Sequence, residues 1–297
     1  MSAHFDKDVR PSGTLSRVVA RNALAAALQA AAEAADAAFE RDDRAEAVHD
    51  VRKAFKQLRG LLRLVRGAHR REARHLRAEI GAAARTLSGP RDEVVRRETL
   101  DRLAAKGRLS LRACRSARAA LTGGPAPEER PAPVAELRGL VARCTRVATR
   151  LAESAGRDMP VAALAADYTR ARRRGRSVVS GDDADMHELR KAVIAHRYQM
   201  ELLTPCWPAL GKPWVKQLQK LRDRLGHHHD LAMLVAAVAA EGSAGTGWRA
   251  EVAAAARARQ ARLAARALRL HARLFAERPK AFARRIRAYA KASGADG

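Results

Sequence analysis

The stretch from Val48 to Arg66, VHDVRKAFKQLRGLLRLVR, has the pattern of an amphipathic α-helix with one strongly basic side. At about 3.6 residues per turn, its apolar and its basic side chains collect on opposite sides of the helix. The apolar side consists of Val51, Ala54, Phe55, Leu58, Leu61, Leu62 and Val65. The opposite side, here called the first basic face, consists of His49, Arg52, Lys53, Lys56, Arg59 and Arg63. The pattern predicts a helix that packs into a core and presents a row of cations.

Cations one turn apart on a helix repel each other, and no carboxylate stands between those of the first basic face. An anionic ligand would supply the missing counter-charge. A polar face that is simply solvated is the alternative, and one helix alone does not decide between the two.

The second half of the chain repeats the pattern in residues 186–203, MHELRKAVIAHRYQMELL. The second basic face consists of His187, Arg190, Lys191 and Arg197. The offset in numbering from His49 to His187 is 138, and the same offset relates LSGPRD at residues 87–92 to LGHHHD at residues 225–230. Two landmarks in one register indicate an internal duplication, and duplicated halves usually pack with pseudo-twofold symmetry.

These paired motifs resemble those of the CHAD (conserved histidine α-helical domain) family. The resemblance rests on His-x-x-Arg-Lys-x-x-Lys-x-x-Arg from His49, on His-x-x-Arg-Lys from His187 with Arg197-Tyr198, and on Arg91-Asp92, Leu218-Gln219, Leu225-Gly226 and His229-Asp230. It covers nearly the whole chain. It implies an all-α fold of two antiparallel four-helix bundles, related by a pseudo-twofold axis, around a basic central cavity. It also implies non-catalytic binding of inorganic polyphosphate in that cavity, at polyphosphate granules.

The domain organisation that follows is a single domain over residues 12–297, with a first four-helix half at 12–157 and a second at 158–297. The second basic face departs from the first at two positions. Ile194 and Glu201 stand where the first face has Lys56 and Arg63. We therefore expect the first face to contribute more to ligand affinity.

The candidate polyphosphate-binding residues share a cationic or hydrogen-bonding side chain on a helix predicted to border the cavity. They are His49, Arg52, Lys53, Lys56, Arg59, Arg63, Arg74, Arg77, Arg85, Arg91, His187, Arg190, Lys191, Arg197, Tyr198, Lys212, Lys216, Lys220 and His229. Neighbouring cations favour the neutral form of His49 and His187, and a bound phosphate would favour the charged form. A local hydrogen bond at the helix start is the alternative role for each histidine.

A further cluster of basic residues lies on the predicted helix that precedes the second basic face. Its members point to all sides of that helix and do not line one side of it. This arrangement favours a non-specific electrostatic role. The cluster consists of Arg170, Arg172, Arg173, Arg174 and Arg176.

Composition agrees with a helical protein that meets a polyanion. Lys and Arg number 58 against 32 Asp and Glu, for a net charge of +26, and aromatic residues make up only 4% of the 297. Arginine, the more abundant cation, binds phosphate oxygens two at a time. Nucleic acid or another polyanion is the alternative partner, but modules that bind single strands stack bases on aromatic side chains, and the basic faces offer only Tyr198.

Catalysis and metal binding are not expected from this sequence. Metal-assisted phosphoryl chemistry needs clustered carboxylates, which the basic faces lack, and no Gly-rich phosphate loop is present. The consecutive residues His227, His228 and His229 cannot all point at one ion. We therefore expect no metal, no cofactor and no enzymatic activity, with a phosphohydrolase as the least favoured function.

Three cysteines, Cys114, Cys144 and Cys206, fit neither a disulfide framework nor a metal-ligand spacing, which favours a reducing cytoplasm. No apolar stretch approaches the length of a membrane span, and residues 1–10 lack the apolar core of a signal peptide.

Local signals predict four helix boundaries. The helix of the first basic face should end near Gly67, and one helix should run from Arg91 to about Leu121. Residues 205–213 should form a turn between their two flanking prolines. A helix break is expected at Gly226, with the next helix starting at Asp230.

Overall fold

The computed structural model describes residues 23–87, 89–121, 133–153, 160–178, 182–240 and 246–295, apart from the side chains of residues 89–93, 246, 294 and 295. The eleven α-helices in these ranges are α1 Ala23–Ala38, α2 Arg44–Leu61, α3 Arg70–Thr86, α4 Gly89–Ala104, α5 Leu111–Leu121, α6 Val134–Glu153, α7 Val161–Ser177, α8 Asp183–Leu203, α9 Pro208–Ala240, α10 Thr246–Leu274 and α11 Pro279–Ala295. The described residues contain no β-strand, and the predicted all-α fold is confirmed.

The two helices that carry the basic faces begin in the same way. Asp43 precedes α2 and accepts hydrogen bonds from the backbone N–H groups of Ala45 and Glu46 at 2.8 and 3.0 Å. Asp182 caps α8 through Ala184 and Asp185 at the same distances. Each carboxylate satisfies two donors that the first helical turn leaves open, and its negative charge lies at the positive end of the helix dipole.

Helix α2 ends at Leu61, earlier than the end predicted near Gly67. Leu62 and Val65 remain in the core formed by α2, whereas Leu64, between them, is buried in the second core cluster. A continuing helix could not direct these three side chains into two cores, so the chain leaves the helix here. Arg63 therefore lies in the segment after α2 rather than on the helix itself.

The first core cluster lies between α1, α2, α3 and α6. Helix α1 contributes mainly alanines, which allow α2 and α6 to approach it closely. The large, fully buried side chains here include Phe55, Leu58, Leu76 and Ile80. Burial of the apolar side of α2 fixes the direction of its basic face.

The second core cluster lies between α7, α8, α11, the first half of α9 and the second half of α10. At its centre the ring of Tyr168 stacks on Phe282 with 4.0 Å between ring centroids, and the Tyr168 hydroxyl donates to the backbone oxygen of Glu277 at 2.9 Å. A buried tyrosine needs such a partner for its hydroxyl.

A third core cluster joins α4 and α5 to the remaining halves of the long helices α9 and α10. Segments of the first half of the chain thus pack on helices of the second half. The predicted arrangement of two four-helix bundles is not confirmed by this division of the core. The predicted limits of the two halves stay a prediction, and most of the boundary near residue 158 lies outside the described residues.

Three further predicted boundaries differ from the structure. Two helices, α4 and α5, replace the single one expected up to Leu121, because the chain turns at Gly107, whose φ of 60° is a left-handed conformation that favours glycine. The turn after α8 ends at Trp207, and Pro213 lies within α9. Helix α9 runs on without a break at Gly226, because Leu225, His228 and Leu231 bury one continuous side of it.

The two basic-face helices cross in direct contact. A Cβ atom added to Gly60 would lie 3.4 Å from the Cα of Ala195 and 3.5 Å from the Cβ of Tyr198. Tyr198 is the counterpart of Gly60 at the offset of the duplication, so the crossing joins two equivalent positions. Such self-contacts occur at a pseudo-twofold axis. The backbones of α2 and α8 can approach here because Gly60 carries no side chain.

Candidate anion-binding groove

A groove of about 410 Å³ lies between α2, α3, α7 and α8, next to this crossing. Ten of its lining residues are cationic: Arg52, Lys56, Arg59, Arg63, Arg77, Arg85, Arg170, Arg174, Arg190 and Lys191. His187 also lines it, together with Glu188, the one carboxylate found there among the residues that the structure describes. Both halves of the chain therefore contribute cations to one concave surface.

The side of the groove formed by α2 carries cations spaced by one or two turns, and α3 positions two of them. The Nη1 atom of Arg52 donates to the backbone oxygen of Ala84 at 3.1 Å. The guanidinium of Arg59 lies over Gly81, where an added Cβ would be only 3.2 Å from its Cζ atom. A glycine at position 81 thus leaves room for Arg59 in the wall of the groove.

Burial and mutual repulsion make the groove unfavourable for its own charges. Burial, and then the charges of Arg85 and Arg63, lower the pKa of Arg59. The pKa of Arg77 is lowered first by burial and then by Arg63, with Asp167 acting in the opposite direction. A bound anion would relieve this repulsion, which is the electrostatic property expected of an anion site.

The side of the groove formed by α8 contains His187, which has one buried ring nitrogen that is not hydrogen-bonded to any described residue. The Nδ1 atom of His187 is buried and has no hydrogen-bond partner among the described residues. Burial lowers the pKa of His187, and Lys191 and Arg190 lower it further. Its ring packs on His229 of α9 with 4.5 Å between centroids, and burial, together with His187, lowers the pKa of His229 to about 4. Both rings are therefore held neutral at neutral pH in the absence of ligand.

Two arginines of α7 line the groove although sequence reasoning assigned their cluster a non-specific role. Arg170 and Arg174 are one helical turn apart, so they lie on the same side of the helix, and this side faces the groove. Neighbouring members of the cluster are directed elsewhere: Arg172 donates to the backbone oxygen of Phe275 at 3.0 Å. The spacing of Arg170 and Arg174 was the signal that could have identified them.

Several predicted site residues do not line the groove. Exposed side chains outside it are those of His49, Lys53, Arg74, Lys212, Lys216 and Lys220. Arg197 forms an ion pair with Glu201 and stacks on Tyr198 with its Cζ atom 4.0 Å from the ring centroid, and none of these three lines the groove. His229 reaches it only through His187. The side chain of Arg91 lies outside the described residues.

The two positions at which the second basic face departs from the first lie in different places. Ile194 does line the groove, where the first face supplies Lys56. Glu201, the counterpart of Arg63, instead neutralises Arg197 away from the groove. The duplication thus supplies unequal surfaces on the two sides of the α2–α8 crossing.

Within the described ranges, no group of three or more His, Cys, Asp or Glu side chains could hold a metal ion. No helix in the same ranges is long and apolar enough to span a membrane.

The sequence matches the model of the CHAD domain family over residues 22–239, and the chain belongs to this family. Its structure is similar to that of PptA from Streptomyces chartreusis, with a TM-score of 0.58 and 17% sequence identity, covering 87% of this chain and 99% of the other. At this identity the similarity supports the fold alone. A comparison with curated proteins gives no significant match.

Proposed function

We propose that the protein binds inorganic polyphosphate in the groove between α2, α3, α7 and α8, without chemical turnover. The observation that carries this proposal is the convergence of ten Arg and Lys side chains on one concave surface, nine from four helices and Arg63 from the segment after α2, with a single carboxylate among the described residues. Membership of the CHAD domain family supports it.

A phosphate chain without bases suits the groove better than a nucleic acid does. Of the described residues that line it, His187 alone carries a ring, so unpaired bases would find no Phe, Tyr or Trp among them to stack on. Arginines dominate the lining and can bind successive phosphate oxygens through bidentate contacts. Because the cations face each other across a concave surface, a narrow and flexible chain can contact both walls.

The lining also favours binding over catalysis. Phosphoryl transfer to water usually relies on carboxylates that hold divalent cations at the scissile bond. Among the described residues, Glu188 is the one carboxylate that lines the groove, and it forms an ion pair with Lys191 on its own helix. We therefore propose a protein that retains polyphosphate. We also propose that it associates with polyphosphate granules, which a fluorescent fusion expressed in polyphosphate-accumulating cells would test.

Competition binding tests the proposal directly. Fluorescent long-chain polyphosphate should be displaced by unlabelled polyphosphate at lower phosphate concentration than by single- or double-stranded DNA, in one buffer and at several salt concentrations. Affinity should fall steeply with the logarithm of salt concentration, because binding releases counterions. Equal competition by duplex DNA would favour the nucleic-acid alternative. Release of orthophosphate during incubation with Mg²⁺ or Mn²⁺ would contradict the non-catalytic part of the proposal.

A further inference from the structure

A buried ion-pair cluster joins the two halves of the chain beside the groove. Asp167 of α7 is only 7% exposed at its side chain, and it faces Arg63, which follows α2. The Nε and Nη2 atoms of Arg63 donate to the two carboxylate oxygens of Asp167 at 2.6 and 2.8 Å. This paired geometry is the strongest that an arginine and a carboxylate can form.

Two further donors complete the environment of the Asp167 carboxylate. Gln199 of α8 donates through Nε2 to Asp167 at 2.6 Å and to the backbone oxygen of Gly60 at 2.9 Å. The Nη1 atom of Arg170 lies 3.2 Å from the other carboxylate oxygen. Four contacts occupy the acceptor positions of one carboxylate, so Asp167 has little capacity left for other partners.

Asp167 does not line the groove, whereas Arg63 and Arg170 do. Arg63 uses one edge of its guanidinium for Asp167 and keeps its remaining N–H groups for another acceptor. Arg170 has a partly exposed side chain and meets Asp167 through one nitrogen. The carboxylate therefore lies behind two arginines whose other donors are available to a ligand.

Within the part of the chain that the structure describes, the cluster exists on one side of the α2–α8 crossing. By the offset of 138, the counterparts of Asp167, Arg63 and Gln199 are Gln29, Glu201 and Leu61. Gln29 donates to Glu33 on its own helix instead. The cluster is therefore not a shared feature of the two duplicated halves. It lies on the same side of the crossing as the groove.

We propose that Asp167 is a positioning residue for anion binding: it fixes Arg63 and Arg170 in the orientation in which they meet a phosphate chain. The proposal rests on the proposed function of the groove. A carboxylate close to an anion site would by charge alone oppose the ligand. Because Asp167 is saturated by its donors and removes rotational freedom from two long side chains before the ligand arrives, its net effect is to strengthen binding.

The salt dependence of binding separates the repulsion of the ligand by the charge of Asp167 from the positioning of the two arginines by its carboxylate. Asp167→Asn removes the charge and leaves the shape of the side chain. At about 0.5 M salt, where long-range electrostatics are screened, the variant should bind long-chain polyphosphate about fivefold more weakly than the wild type. At about 0.05 M salt the difference should shrink or reverse, because the groove then carries one more unit of positive charge. Tighter binding by Asp167→Asn at every salt concentration would overturn the proposal.

Glu188→Gln is the matched control, because it removes the same charge from a groove-lining side chain that forms its ion pair with Lys191 on its own helix. It should tighten polyphosphate binding at every salt concentration. Arg63→Lys guards against a misfolded Asp167 variant, since it keeps the charge but loses the paired contact, and it should reproduce the weakening at high salt. Circular dichroism should show unchanged helicity in all three variants, and unchanged high-salt affinity of a folded Arg63→Lys variant would contradict the proposal.

A measurement without ligand distinguishes failure of this proposal from failure of the proposed function. In an NMR spectrum of the free wild-type protein, the Nε–H of Arg63 should exchange slowly with water, and Asp167→Asn should abolish this protection. Protection together with no polyphosphate binding by the wild type would refute the proposed function, and with it a role for Asp167 in binding. Rapid exchange in the wild type would refute the fixed orientation itself.

Discussion

Replacement of Arg59 by methionine should weaken ligand binding while it stabilises the free protein. Arg59 lies in the wall of the groove over Gly81, and burial and the neighbouring Arg85 and Arg63 lower its pKa. The folded protein therefore disfavours this charge in the absence of an anion. Methionine keeps much of the apolar stem and removes the charge, so the melting temperature should rise by about 1–3 °C for a chain of this size.

The loss of affinity follows from the type of contact that Arg59 can form. A charge-assisted hydrogen bond to phosphate contributes about 1.5–3 kcal/mol to binding. Its loss should therefore raise the dissociation constant roughly tenfold to hundredfold. Titration of labelled polyphosphate at fixed ionic strength measures the affinity, and thermal unfolding followed by circular dichroism measures the stability. Arg74→Met is the matched control, because Arg74 of α3 undergoes the same substitution at an exposed position outside the groove. Equal losses from the two variants, or a destabilised Arg59→Met with normal affinity, would refute the reasoning.

Three further outcomes are expected from the same assays. Gly81→Ala should raise the free energy of unfolding by up to about 1 kcal/mol, since glycine is unfavourable within a helix. The variant should nevertheless bind polyphosphate about threefold more weakly, because the added Cβ would lie 3.2 Å from the Cζ atom of Arg59 and displace its guanidinium. Unchanged affinity would contradict this contact. Glu201→Arg should change affinity by less than about twofold, because Glu201 pairs with Arg197 outside the groove, and a clear gain would place it near the ligand after all. The pKa of His187 is lowered in the free protein and should be raised by a bound phosphate, so wild-type affinity should increase by about threefold or more as the pH falls from about 8 to about 5.5. The control His187→Ala should remove most of this increase, and the same pH profile in both proteins would exclude a role for His187 protonation.

The fold class and the main helices could be predicted because the signals were local and repeated. The apolar side of α2 and the constant offset between the two halves indicated helices and a duplication. The helix starts follow this offset closely, since α8 and α9 begin at Asp183 and Pro208 and α2 and α3 begin at Arg44 and Arg70. The path of the chain beyond α3 was less accessible. Whether a glycine such as Gly107 ends a helix depends on which core the neighbouring leucines join, and the local sequence does not contain that information.

The candidate groove was predictable in part for the same reason. Arg52, Lys56 and Arg59 share one side of one helix, so their common direction follows from spacing alone. Lys53 and His49 lie on the same basic side of α2 but do not line the groove, which takes up only part of that side. The roles of Arg170, Asp167 and Gln199 depend on contacts between helices that are distant in the chain, which periodicity does not reveal.

The most direct test of the central claim is a crystal structure of the protein with a short, homogeneous polyphosphate chain. We expect phosphate oxygens within hydrogen-bond distance of Arg59, Arg77 and Arg190, with the chain lying between α2 and α8. A chain bound instead along the exposed lysines Lys212, Lys216 and Lys220, with the groove unchanged, would contradict the account.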